Sequence, residues 1–230
     1  MGSLIIAGFI VFGSVTVLRE SATVLLEGTP RITRSFATTR ELCRHARDPL
    51  SQFVISSYHP PMSCMIRLAR SDDLASINDI YNYYVIHSTC TYQETPEPIE
   101  SRHAWFERHG PEHPVTVAEV DGQVLGWGAL SPFNARSAYR FTVENSVYVD
   151  HEYHRRGIGD AILKDLIARA RAIGHRTIIA GIDASQEASV AIHVKHGFVK
   201  VGHVKQVGYK FERWLDVVYM QLIVTPLNRD

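Results

Sequence analysis

Surplus charge is the first thing missing: Lys plus Arg and Asp plus Glu each total 24, so the 230-residue chain has a formal net charge of zero at pH 7. Nothing global then draws it to DNA, to another nucleic acid or to an acidic membrane face, and any basic patch must be local. Cysteine is also sparse. Cys43, Cys64 and Cys90 are odd in number and lack CxxC spacing, which indicates neither a disulfide framework nor a zinc site. No metal is expected, and a reducing, cytoplasmic compartment fits. The chain also lacks a clean apolar run of the ~20 residues a membrane-spanning helix needs. Its most apolar stretch, Leu4 to Leu18, is shorter and is interrupted by Gly8 and Gly13. Met1 to Ser3 carry no basic side chain, unlike the start of a secretory signal, and there is neither an internal repeat nor a low-complexity tract.

What is present is ordinary for a globular protein: 45% apolar and 21% charged residues, enough to bury a core. The length suits one domain with an extension. Met1 to Cys64 read as that extension, either outside the working protein or disordered. Its apolar start and the Arg-, Ser- and Thr-rich stretch Arg19 to Arg47 leave a targeting or anchoring segment as the alternative. The Pro60-Pro61 pair leads into a domain from residue 65 to 224, and 225–230 form a tail.

Within the domain, Met65 to Ala69 reads as a strand, and Ser71 before two aspartates suits a helix N-cap. Leu74, Ile77, Ile80, Tyr81 and Tyr84 recur at helical spacing as far as about His87. A second helix spans Ile99 to His109. Val115 to Val120 and Val124 to Leu130 flank Asp121-Gly122, the favoured two-residue hairpin turn. Thr142 to Val149 alternates as a strand, with Glu144, Ser146 and Tyr148 on one face. Gly157 to Ile173 is a strongly patterned helix ended by Gly174. Arg176 to Ile182 is a strand, Glu187 to Lys195 a short helix, and Phe198 to Val207 with Val217 to Val224 supply two last strands. This α/β (α+β) order, β-α-α-β-β-β-α-β-α-β-β, predicts a mixed central sheet of about seven strands with about four helices on both faces.

The sharpest chemical signal is the strand Val147-Tyr148-Val149 leading to His154-Arg155-Arg156-Gly157-Ile158-Gly159-Asp160, a glycine-bearing turn that opens a helix. Small residues let the main chain approach a phosphate, and the unpaired amides of a helix start attract a diphosphate. The segment resembles the acetyl-CoA-binding motif of the Gcn5-related N-acetyltransferases (GNAT), Gln/Arg-x-x-Gly-x-Gly/Ala. Over residues 65–224 the chain is similar to the phosphinothricin and methionine sulfoximine N-acetyltransferases of that superfamily. The similarity is carried by Ile80-Tyr81-Asn82, Pro132-Phe133, Arg136-Ser137-Ala138-Tyr139-Arg140, Thr142-Val143-Glu144, His193 before Gly197-Phe198, and Gly208-Tyr209-Lys210 with Trp214-x-Asp216-Val217. Three positions depart from it: His154 replaces Gln or Arg, Gln186 stands where relatives carry a cofactor-contacting Asn, and Asn134 replaces a common Arg.

The resemblance implies acetyl-CoA as co-substrate, held by Val147, Tyr148, Val149, Arg155, Arg156, Gly157, Ile158, Gly159, Asp160, Gln186 and Lys195. It implies substrate contacts from Arg136, Ser137, Ala138 and Tyr139, where a guanidinium suits a carboxylate or a phosphinyl or sulfoximine head. An α-ammonium must lose a proton before it attacks a thioester, and Glu144 is the implied base. The alternative for Glu144 is a solvent-facing strand residue or an ion-pair partner of Arg136 or Arg140. His193 stands where related enzymes carry a Tyr that protonates the departing thiolate, so it is expected either to donate that proton or to act with Glu144 as base. A backbone N–H of Val147 to Val149 is the expected oxyanion donor. Tyr209, Lys210 and Trp214 either shape the pocket or fill the core between the last strands. The implied activity is acetylation of a small amino-acid-like amine by a homodimer. The rival readings are a GNAT acting on a polyamine or a protein N-terminus, and a non-catalytic acyl-CoA-binding module.

Overall fold

A computed structural model of the chain describes residues 62–225. The apolar stretch 4–18, the basic stretch 19–47 and the tail from residue 226 onward lie outside the described residues. The chain runs β1 (Met65–Leu68), α1 (Leu74–His87), α2 (Ile99–Glu107), β2 (Val115–Val120), β3 (Gln123–Pro132), β4 (Thr142–Val149), α3 (Ile158–Ile173), β5 (Thr177–Asp183), α4 (Glu187–Lys195), β6 (Val199–Lys210) and β7 (Arg213–Ile223), the order expected from the sequence. The strands form one seven-stranded sheet in the order β1-β2-β3-β4-β5-β7-β6. Every neighbouring pair is antiparallel except β4 with β5.

Two cores sandwich the sheet. On one face α3 buries Ile158, Ile162, Leu163, Leu166 and Ala170 against Leu130, Val143, Ile178 and Met220, with Val190 and Ile192 of α4 beside them. Each fully buried Ile or Leu there stabilises the fold by about 1.5–3 kcal/mol relative to an exposed one. Gly174 ends α3 at φ 101°, a left-handed C-cap that returns its N–H to the Ala170 carbonyl. On the other face Leu74, Ile77, Ile80 and Tyr84 of α1 pack with Trp127, and Trp105 of α2 joins them. Among the described residues no helix is long and apolar enough to cross a membrane, and no group of three or more His, Cys, Asp or Glu is placed to hold a metal ion.

Three local expectations need correction. Ser71 does not cap α1 but opens a 3-10 turn, Ser71–Asp73, in which the Asp73 carboxylate accepts the Arg70 N–H at 2.7 Å. Arg67 grips the same carboxylate at 2.7 and 2.8 Å and holds it below its usual pKa; an ionised acceptor outcompetes a hydroxyl. Helix α2 stops at Glu107 rather than His109, because the His109 ring donates from Nδ1 to the Trp105 carbonyl at 2.8 Å. The last hairpin is longer than expected on both strands. It turns at Phe211 and Glu212, both with positive φ, a turn without the Asn or Gly that usually marks one.

Candidate active site

The parallel pairing of β4 and β5 lasts only three positions, Thr142↔Thr177, Val143↔Ile178 and Glu144↔Ile179. Beyond them β4 stays paired to β3 as far as Val149, and β5 stays paired to β7 as far as Asp183. Each strand follows its other neighbour, so the two splay. The edges of Asn145 to Val149 and Ala180 to Asp183 that face each other lose their ladder partners. A cavity of about 310 Å³ occupies the gap, lined by residues of both strands, of α4 and of the segment after α1. It lies at the carboxyl ends of the two parallel strands, where open α/β sheets bind ligands.

Glu144 sits at the apex, in the last paired position, and lines this cavity. Burial alone pushes its carboxyl above its ordinary value, with no cation or hydrogen-bond donor among the described residues pulling it back. The ion-pair reading is thereby corrected: Arg140 lies over the Phe141 ring and donates to the Ser137 carbonyl, and Arg136 is exposed. Gly181 of β5 makes room for the carboxylate. A Cβ there would stand 3.3 Å from Glu144 Oε1 and 3.4 Å from the Tyr219 ring.

His193 comes up from α4 into the same wall and is only 3% exposed. Its Nδ1 lies 2.7 Å from the Ser189 carbonyl, which can only accept, so the proton is on Nδ1. Its Nε2 lies 3.0 Å from Asn145 Nδ2. Burial is the main force holding its pKa below that of an ordinary histidine. That shift favours the neutral ring, which with its hydrogen on Nδ1 presents a lone pair at Nε2.

Two features of the wall escaped the sequence reading, and a third, Lys210, was named there without its role. Thr89 to Tyr92, in an aperiodic stretch, supply one side of the cavity. Lys210, only 2% exposed, donates to the Ser88 and Thr91 carbonyls at 2.8 Å each, so it pins this segment instead of filling a core. Asp183 accepts from the Tyr92 hydroxyl at 3.0 Å and from Ser185, which puts a second carboxylate in the cavity. Farther back, Asn82 brackets Glu97, accepting its N–H at 2.8 Å and donating to its carbonyl at 2.9 Å. That pair gives the Ile80-Tyr81-Asn82 motif a physical meaning: it fixes the far end of the wall segment. Tyr209 and Trp214, by contrast, are 52% and 61% exposed and fill no core.

The glycine turn behaves as a ligand-ready helix start. Gly157 adopts φ 83° and Arg155 φ 60°, left-handed conformations on either side of Arg156. No side chain caps the first turn of the 16-residue helix α3, so its leading N–H groups have no intrahelical partner. Asp160 would oppose an anion there, but Lys195 at 2.7 Å and His196 at 2.9 Å compensate it. His154 stacks on Tyr84, whose hydroxyl touches His154 Nε2 and donates to the Val149 carbonyl. Gln186 lines the cavity and donates to Thr89 at 3.3 Å.

Of the residues singled out in the sequence, the cavity brings together Glu144, His193, Val147, Tyr148 and Gln186. Val149, Arg155, Arg156, Ile158 and Gly159 lie on or around the helix start. Arg136, Ser137, Ala138 and Tyr139 form an exposed 3-10 turn between β3 and β4 and do not line the cavity.

Two splayed parallel strands beside an uncapped helix start offer a crevice for a ligand and a seat for an anion. The chain belongs to the Acetyltransferase (GNAT) family, which matches residues 77–198. It is 39% identical over 158 residues to the L-amino acid N-acyltransferase MnaT of Escherichia coli, across 68% of this chain and 92% of that protein. It is 40% identical over 167 residues to the L-methionine sulfoximine/L-methionine sulfone acetyltransferase of Pseudomonas aeruginosa, across 72% of this chain and 97% of that one. A phosphinothricin acetyltransferase of Sinorhizobium meliloti, solved in complex with acetyl-CoA, has a TM-score of 0.69 at 36% identity, across 73% of this chain and 95% of that one.

Proposed function

We propose that this chain transfers the acetyl group of acetyl-CoA to the α-amino group of a small amino-acid-like substrate of the methionine sulfoximine, methionine sulfone or phosphinothricin type. The observation that carries the reading is Glu144, a half-buried carboxylate with no cation beside it among the described residues, at the apex of the splay between β4 and β5. The residues present fit acetyl-CoA. The amides of Gly157 to Gly159 and the Arg155 and Arg156 side chains take the diphosphate. The unpaired edge of β4 from Asn145 to Val149 takes the amides of the pantetheine arm, and one of its N–H groups faces the charge that builds on the thioester oxygen. Glu144 accepts the proton that makes the amine nucleophilic.

Among the described residues no Lys or Arg lines the cavity, while Glu144 and Asp183 both do. The cavity therefore favours an ammonium, and a substrate carboxylate must find its cation elsewhere. The exposed turn of Arg136 to Tyr139 is the proposed source. A homodimer belongs to the same reading. β6 is a 12-residue edge strand that leaves Val199, Val201, Val204 and Val207 between 41% and 60% exposed, a face suited to a second copy. Acetyl-CoA supply and the unpaired Cys64 and Cys90 go with a cytoplasmic site of action.

The test is a thiol-release assay with acetyl-CoA and a panel of methionine sulfoximine, methionine sulfone, phosphinothricin, polyamines and peptides. Release with the first three supports the proposal. Release only with polyamines or peptides moves the substrate class, and acetyl-CoA binding without release from any amine leaves an acyl-CoA-binding module.

A further inference from the structure

We propose that Asn145 is a positioning residue whose side-chain amide holds His193 as the neutral Nδ1–H tautomer and turns over when Nε2 takes a proton. The inference deepens the proposed acetyl transfer and rests on it for the source of that proton.

The geometry leaves little choice. Ser189 fixes a hydrogen on Nδ1, so a neutral ring presents only a lone pair at Nε2, and the group 3.0 Å away must be the NH₂ end of Asn145. Asn145 is only 8% exposed. Its Oδ1 is buried without a hydrogen-bond partner, although such an acceptor normally has one. Rotation of the amide by half a turn exchanges the two ends. Oδ1 then accepts from a protonated Nε2, and the orphaned position holds an N–H donor instead of a carbonyl oxygen. Each protonation state of His193 thus has one matching orientation of Asn145.

Strand alternation explains how two neighbours divide the work. Glu144 and Asn145 are consecutive on β4 and point to opposite faces, yet both line the cavity because the splay opens the sheet between them. Glu144 shares its face with Ser146 and Tyr148, while Asn145 reaches His193 on α4. An ammonium that becomes an amide sheds two protons. One ends on the departing sulfur, and Glu144 takes the other from the ammonium; Nε2 is the next acceptor on that proton's way to solvent. When it fills, the amide turn exchanges the orphaned buried acceptor for a donor at the same position.

The titratable groups that line the same cavity as His193 are Glu144 and Tyr148 from β4, Asp183 from β5, Tyr219 from β7, and Cys90 and Tyr92 from the wall segment; His196 acts from the end of its own helix. The Phe198 ring, 4.9 Å away and edge-on, closes the remaining side. Burial, the largest influence, and His196 disfavour a charged ring; the hydrogen bond to the Ser189 carbonyl favours it.

The experiment is ¹H–¹⁵N NMR of the His193 ring nitrogens in the full chain without substrate, titrated with pH, in the wild type, Asn145→Asp and Asn145→Leu. The wild type is expected to show hydrogen on Nδ1 and a lone pair on Nε2. Asn145→Asp, which offers only acceptors, should raise the titration midpoint by about 1–3 pH units. Asn145→Leu, which offers no acceptor to the protonated ring, should lower it. A wild-type ring protonated on Nε2 alone, or a midpoint that neither variant moves, overturns the proposal. If Asn145→Leu fails to fold, the Asp arm decides. Thiol release measured in parallel separates the two readings. Shifted midpoints without release from any amine leave the amide pair standing and remove the acetyl transfer, whereas release with unmoved midpoints does the reverse.

Discussion

Replacing Glu144 by Gln preserves shape and removes charge, so it separates what the carboxylate does from where it sits. Gln fits the same space over Gly181, where Glu144 Oε1 would stand 3.3 Å from an added Cβ. A positioned base contributes about 10²–10⁴-fold to rate, or roughly 3–5 kcal/mol of barrier. Turnover in the thiol-release assay should fall by at least about a hundredfold, and acetyl-CoA affinity should stay within about threefold, because the diphosphate grip lies at the start of α3. Burial raises the Glu144 carboxyl in the folded state, so the acidic limb of kcat/KM should lie above the ordinary Glu value of about 4.3. Stability moves the opposite way. A carboxyl whose folded pKa is raised supports the fold fully below its unfolded value and loses that support as pH rises through the folded one. Glu144→Gln should therefore melt higher than the wild type at pH 8 and no higher at about pH 4. Turnover within about threefold of the wild type would refute the base assignment. A lower melting temperature at pH 8 would refute the account of its burial.

Gly181→Val should leave the melting temperature within a few degrees but lower kcat, because its branches crowd Glu144 and Tyr219; unchanged kcat would mean that the carboxylate does not work from this position. Gly157→Ala must carry a side chain at φ 83°. The strain of about 1–2 kcal/mol corresponds to roughly 5–30-fold, and calorimetry should find acetyl-CoA affinity weakened by that order while the amine KM changes little. Lys210→Met leaves the Ser88 and Thr91 carbonyls without their donor, partly offset by removing a buried ammonium, for a net loss of roughly 1–3 kcal/mol by denaturant melting. Its amine KM should rise more than its kcat falls, since the cavity wall loosens while Glu144 stays in place.

The fold was legible wherever local patterning and tertiary packing agree. Helix α3 carries an unbroken apolar stripe and its own left-handed glycine cap, and Asp121-Gly122 marks its hairpin without help from distant residues. The turn of the last hairpin was not legible, because Phe211 and Glu212 take positive φ only under the pairing of the long strands they join. The site divides in the same way. Glu144 and the glycine turn sit in compact segments whose spacing is meaningful. Asp183, Gly181, Asn145 and the Thr89 to Tyr92 wall acquire roles only once β4 and β5 splay. No periodicity encodes that splay, which follows from each strand keeping faith with its other neighbour. Lys210 was read as pocket or core, and it is a buried pin whose partners lie more than a hundred residues away.

A crystal structure of the chain with a non-hydrolysable acetyl-CoA analogue tests the central claim most directly. The account predicts the diphosphate on the amides of Gly157 to Gly159, the arm along β4 between Asn145 and Val149, and the carbonyl carbon in the cavity beside Glu144. A diphosphate bound elsewhere, or a carbonyl carbon outside the gap between β4 and β5, would contradict it.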